Sequence, residues 1–101
     1  MKIKLGGIYY TVCKVLDLHD GEQKLDGQLK HSEASIYLDS VLCPQAEIQT
    51  TLHEIVHVIT AQNGRQDMGE DAVDAMAFGL MGFLRDNPRL VKRWMDILAV
   101  K

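Results

Sequence analysis

A chain of 101 residues, 47% apolar and 25% charged, has the balance of one small soluble globular domain and not that of a disordered tract. Its 11 basic side chains are outnumbered by 14 acidic ones and are scattered, which argues against a nucleic-acid-binding stripe and against attraction to an acidic membrane surface. The first ten residues lack the apolar stretch of a secretory signal, and the uncharged run 75–84 is too short to span a bilayer, so the expected location is the cytoplasm.

In chain order, 3–15 is rich in β-formers and reads as a hairpin turning at Gly6-Gly7. Cys13 and Cys43 are too few for a disulfide framework and are expected as buried free thiols. The polar, Gly-punctuated stretch from His19 to Gly27 reads as a loop. Two short strands are expected at 28–31 and 34–39, with Ile36 and Leu38 on a buried face and Tyr37 and Asp39 on an open one.

Pro44 suits the first position of a helix running to about Gln62, with Asn63-Gly64 as its stop and Ile48, Leu52, Ile55, Val56 and Ile59 as its apolar stripe. A second helix is expected from about Met68 to Arg85, using Val73, Ala77, Leu80, Met81 and Leu84. Asn87-Pro88 interrupts it before a third, 89–100, which packs Leu90, Val91, Trp94, Ile97 and Leu98. Strands first and helices after give an α+β fold: a small antiparallel or mixed N-terminal sheet followed by three helices in a single domain.

The first helix carries His53-Glu54-Ile55-Val56-His57, an H-E-x-x-H pattern. Residues four apart on a helix lie about 6 Å apart at Cβ, so two imidazoles can address one ion. Glu54, one position on, turns toward the cleft beside that ion and suits a base acting on activated water. The bland alternative is two surface histidines on an ordinary amphipathic helix.

A catalytic zinc needs a third protein ligand and one open position. The downstream candidates are Asp67, Glu70, Asp71 and Asp74. Glu70 is favoured, with Asp74 as the carboxylate that accepts from the far ring nitrogen of a ligating histidine; Asp74 or Asp71 is the alternative ligand. A capping box between Asp67 and Glu70 would explain Glu70 without a metal, and a solvated helix face would explain Asp74. Ala72, Ala75 and Ala77 are small enough to let two helices approach and share an ion.

These two motifs, H-E-x-x-H and then Glu70-Asp71-Ala72-Val73-Asp74, resemble the gluzincin class of zinc peptidases. The likeness is nearest to small ImmA/IrrE-type metallo-endopeptidases, including phage-borne forms. It extends over Ile36-Tyr37-Leu38-Asp39, Thr51-Leu52, Gly79-Leu80 and 84–88, about the last two-thirds of the chain. The resemblance implies a zincin-like fold, zinc on His53, His57 and Glu70, Glu54 as catalytic base, Asp74 as partner of a ligating histidine, and hydrolysis of a peptide or protein substrate such as a regulatory protein. Two features depart from it. Only Val58 to Gly69 separates the motifs, implying an open, shallow cleft, and all four histidines precede Val58.

His31 and Tyr37 flank the strand before the metal helix and are the candidate donors to a developing oxyanion. An extended peptide is expected along 34–39 as an added strand. Manganese, cobalt or iron would fit the same ligand types as zinc. Two other functions compete: a non-catalytic, metal-stabilised phage regulatory or assembly module, and a metal-free interaction protein using Trp94 and Met95. A small core and an exposed sheet edge also allow a homodimer.

Overall fold

The computed structural model describes residues 1–100 and is α+β, a mixed four-stranded sheet followed by three helices. Strands β1 (Lys2–Leu5) and β2 (Ile8–Val15) form the expected hairpin. Gly6 and Gly7 both take positive φ at its turn, the conformation a two-residue hairpin loop needs. A side chain at Gly6 would also strike Gln62, whose amide donates to the Leu5 carbonyl at 2.9 Å and ties the end of the first helix to the hairpin.

The segment read as a loop contains a second, two-stranded ribbon, β3 (His19–Asp20) and β4 (Gln23–Lys24), turning at Gly21. Strands of two residues leave no period to read. Next come β5 (Gly27–Lys30), a 3₁₀ turn over His31–Glu33, and β6 (Ser35–Asp39). Ala34, in the left-handed region, reverses the chain between them. The sheet order is β1-β2-β6-β5, with β2 and β6 parallel and the other pairs antiparallel. The 34–39 strand is therefore internal, and the edges open to an added strand are β1 and β5, not 34–39 as the sequence suggested.

Helix α1 (Pro44–Gln62) keeps its expected bounds and crosses the sheet. Tyr10, Ile36, Leu38 and Val58 form the core. Of the stripe expected on α1, Val56 is buried and Leu52 and Ile55 are partly buried, but Ile48 and Ile59 are about half exposed, while Thr50, Glu54 and Val58 are buried. These three residues are spaced four apart and share one face of the helix. Two of them are polar, so apolar periodicity points elsewhere.

Asp39 is also buried, contrary to the alternation expected of its strand. The Lys24 ammonium, from the β3–β4 ribbon, pairs with its carboxylate, which also accepts from the Val41 and Leu18 backbone amides. A buried carboxylate stands only where its lone pairs are met in this way. Cys13 is half-buried and Cys43 is exposed, and both are free.

Helix α2 (Glu70–Asp86) starts two residues later than expected, and α3 (Pro88–Leu98) follows at Asn87. Val73 and Ala77, in the first half of α2, are fully buried in contact with α1. Beyond them the chain changes character: Leu80, Leu84, Leu90, Trp94, Ile97 and Leu98, expected as packed, are all exposed to 38% or more. No helix among the described residues is long and apolar enough to cross a membrane.

Candidate metal centre

Helix α1 carries His53, Glu54 and His57 in its third and fourth turns, and α2 packs alongside it with Glu70 and Asp74 in its first two turns. The ligand atoms of His53, His57 and Glu70 converge, all within 4.8 Å of one another. His53 Nε2 lies 3.2 Å from His57 Nε2 and 2.9 Å from Glu70 Oε2, and His57 Nε2 lies 3.0 Å from Glu70 Oε1. The two rings meet edge-on, with centroids 4.8 Å apart.

Tetrahedral zinc with bonds of about 2.0–2.1 Å to nitrogen sets its ligand atoms about 3.3 Å apart. The nitrogen–nitrogen separation is close to an edge of that tetrahedron, the two nitrogen–oxygen separations, to different oxygens of Glu70, are a little shorter, and two imidazoles with one carboxylate are a donor set typical of catalytic zinc. The residues present fit the ion.

Asp74 occupies the other side of one imidazole. Its Oδ1 lies 2.6 Å from His53 Nδ1. Accepting that N–H leaves the Nε2 lone pair free for a metal and fixes the ring's orientation. Asp67 is instead turned to Arg65, 3.3 Å away, and the N-terminal cap of α2 is Gly69 with no side-chain bond, so the capping-box explanation of Glu70 fails. Asp71 is not part of the converging group. A carboxylate in the first turn of α2 is also favoured by the positive end of the helix dipole.

Glu54 lies on the sheet-facing side of α1 and is only 6% exposed. Its burial pushes its pKa up from 4.5 to about 7; His53 opposes the shift and Glu70 adds to it. Gly27, at the start of β5, makes its placement possible. A Cβ there would lie 2.6 Å from Thr50 Cγ2 and 3.5 Å from Glu54 Oε1, so only glycine lets the strand approach the helix this closely. Gly27 falls in the stretch expected as a loop; a glycine opening a strand is the signal for its role.

The cleft beside the histidines has a volume of about 480 Å³. Its floor is His53, Glu54, His57 and Glu70, one wall is β5 with His31 after it, and the other includes Asp20 and Gln23 of the ribbon. His31 thus stands at the rim, exposed. Tyr37 does not line the cleft. Ile36 and Leu38 point to the core, so the pleat sends Tyr37 to the opposite face. There its hydroxyl donates to Glu33 at 2.7 Å, which raises its pKa, and Lys30 lies over its ring. Glu70 and Asp74 are more than half exposed, which makes the cleft open.

Comparison with family models, with curated proteins and with solved structures gave no match, so what this centre does has to be argued from its geometry.

Proposed function

We propose that the chain is a zinc-dependent peptidase of the gluzincin type, similar in its motifs and element order to the small ImmA/IrrE-type endopeptidases. One observation carries this reading: two imidazoles and a carboxylate converge beside a second carboxylate, Glu54, buried on the sheet-facing side of α1. A metal site that only stabilises the fold has no use for that second carboxylate, whose burial costs stability. The retained Glu54 therefore favours the enzyme over a structural metal module.

When bound, the ion supplies Lewis acidity and lowers the pKa of a coordinated water toward about 7. His53, His57 and Glu70 hold it, and Asp74 keeps His53 in the ligating tautomer. Glu54 takes the proton from the attacking water and delivers it to the departing amine. A carboxyl with a pKa near neutrality is suited to both transfers. Strand β5 is the edge of the sheet that lines the cleft, so an extended peptide paired to Gly27–Lys30 lies beside Glu54. His31, at the same rim, is the remaining side-chain candidate for a donor to the oxyanion.

The test is metal content together with cleavage of a mixed peptide library read by mass spectrometry. Wild type binds one zinc per chain and cleaves. Glu54→Gln keeps the zinc and loses about 10²–10⁴-fold in rate. A wild-type protein that takes up no zinc, or a Glu54→Gln variant that cleaves as fast as wild type, overturns the proposal.

A further inference from the structure

The cleft at the candidate metal centre does not end at Gly27. A second depression, of about 170 Å³, adjoins it, and Gly27, His53 and Glu54 line both. Glu54 is thus reached from two chambers. It is 6% exposed and its carboxylate accepts no hydrogen bond from the described residues, so its partner comes from whatever occupies those chambers.

The walls around it carry charge of one sign. Asp20, on the ribbon, lines the larger chamber, and Asp26, just before β5, lines the smaller. Both are exposed, and no Lys or Arg among the described residues lines either chamber. The basic side chains nearest in sequence to the lining residues are engaged elsewhere: Lys24 pairs with Asp39, Lys30 lies over the Tyr37 ring, and Arg65 is held by Asp67. A bound dication would not reverse the sign. The carboxylates of Glu70 and Asp74 offset its two charges, and Asp20 and Asp26 remain.

We infer that the cleft selects cationic peptides, with Lys or Arg side chains flanking the cleaved bond, one met by Asp20 and another by Asp26. This selection presupposes the peptidase reading above and gives it a substrate class. Gly27 is the one residue of β5 that borders both chambers, so a peptide paired to this strand sends side chains on the two sides of Glu54 into different chambers. In the larger one, the half-buried Leu25 and Leu29 suit the aliphatic stem of Lys or Arg, whose charged head then meets Asp20. The wall carrying Asp20 is also fixed. The ribbon is tied down by the Lys24–Asp39 pair, and next to it the Leu25 amide donates at 3.0 Å to the carbonyl of buried Leu18. A carboxylate held in place rejects an acidic side chain as well as attracting a basic one.

The test compares, with zinc present, three fluorescein-labelled peptides of one Ala-Ser frame that carry Lys and Arg, Gln, or Glu around the centre. Cleavage by wild type is followed by mass spectrometry, and binding to Glu54→Gln by anisotropy. The Lys/Arg peptide is expected to bind tightest and to have the lowest KM. Asp20→Asn and Asp26→Asn, at exposed positions and made in both backgrounds, are each expected to weaken its binding about fivefold. Asp20→Lys should shift the preference toward the Glu peptide. Equal affinity for the three peptides, a preference of the unaltered cleft for the Glu peptide, or a Lys/Arg preference that both Asn variants leave intact overturns the inference. Lys/Arg binding that follows Asp20 and Asp26 without any cleavage by wild type supports the charge selection and overturns the peptidase reading instead.

Discussion

The body of the molecule and its C-terminal arm invert the usual rule in opposite directions. In the body, beside the apolar core, Thr50, Glu54 and Asp39 are inside, while Ile48 and Ile59 of α1 are about half exposed. In the arm the apolar side chains are outside, and no residue of α3 is buried at all. Folding by itself rewards neither arrangement, since buried carboxylates cost free energy and exposed apolar area gains none. The contrast teaches that neither region is arranged for folding stability alone: the body buries a carboxylate beside its candidate metal centre, and the arm leaves an apolar side uncovered.

The largest way to break this contrast is to remove the buried charge. With metal stripped by a chelator, Glu54 holds its proton in the folded chain between about pH 4.5 and about 7, where the unfolded chain has lost it. That stabilisation is complete below pH 4.5 and gone above about 7, so stability falls as pH rises through this window. Glu54→Gln carries no such dependence. In urea titrations it should exceed wild type above pH 7 by on the order of 3 kcal/mol relative to the difference below pH 4.5. Equal slopes for the two proteins would mean that Glu54 is solvated and that the body is not inverted.

A smaller effect is expected from Asp74→Asn. The amide cannot accept from His53 Nδ1–H as a carboxylate does, and zinc affinity should fall about 10–100-fold in a competition titration with a chromophoric chelator. An unchanged affinity would make Asp74 a surface residue. Gly27→Ala forces a methyl against Thr50 and should cost about 1–3 kcal/mol in denaturant unfolding while lowering the rate of cleavage. A silent substitution would show that strand β5 is not held against Glu54. The smallest effect sharpens the separation of the two regions: Leu98→Glu should leave zinc affinity within about twofold, because distant sites add independently. A larger change would couple arm and centre.

The candidate centre was unusually legible in the sequence for a physical reason. His53, Glu54 and His57 are fixed relative to one another by a single helix turn, and Glu70 and Asp74 by another, so their geometry needs only local structure. The ribbon at 19–24, the burial of Asp39 and the half-exposed state of Ile48 and Ile59 were not legible. Each depends on what a residue meets across the fold: Lys24 reaching Asp39 from fifteen residues away, and Thr50, Glu54 and Val58 facing a strand whose first residue is glycine.

The sequence alone determined the helices, the strands of the main sheet and the two clusters of chemistry-bearing side chains, because caps, turns and helical periodicity act over a few residues. Only the tertiary structure decided that Glu70 and not Asp67 or Asp71 meets the histidines, that Tyr37 faces away from the cleft, that β5 is the edge beside the cleft, and that the last helix leaves its apolar side uncovered. Those outcomes follow from how α1 sits on the sheet and α2 against α1, and packing between distant segments has no local signal to read.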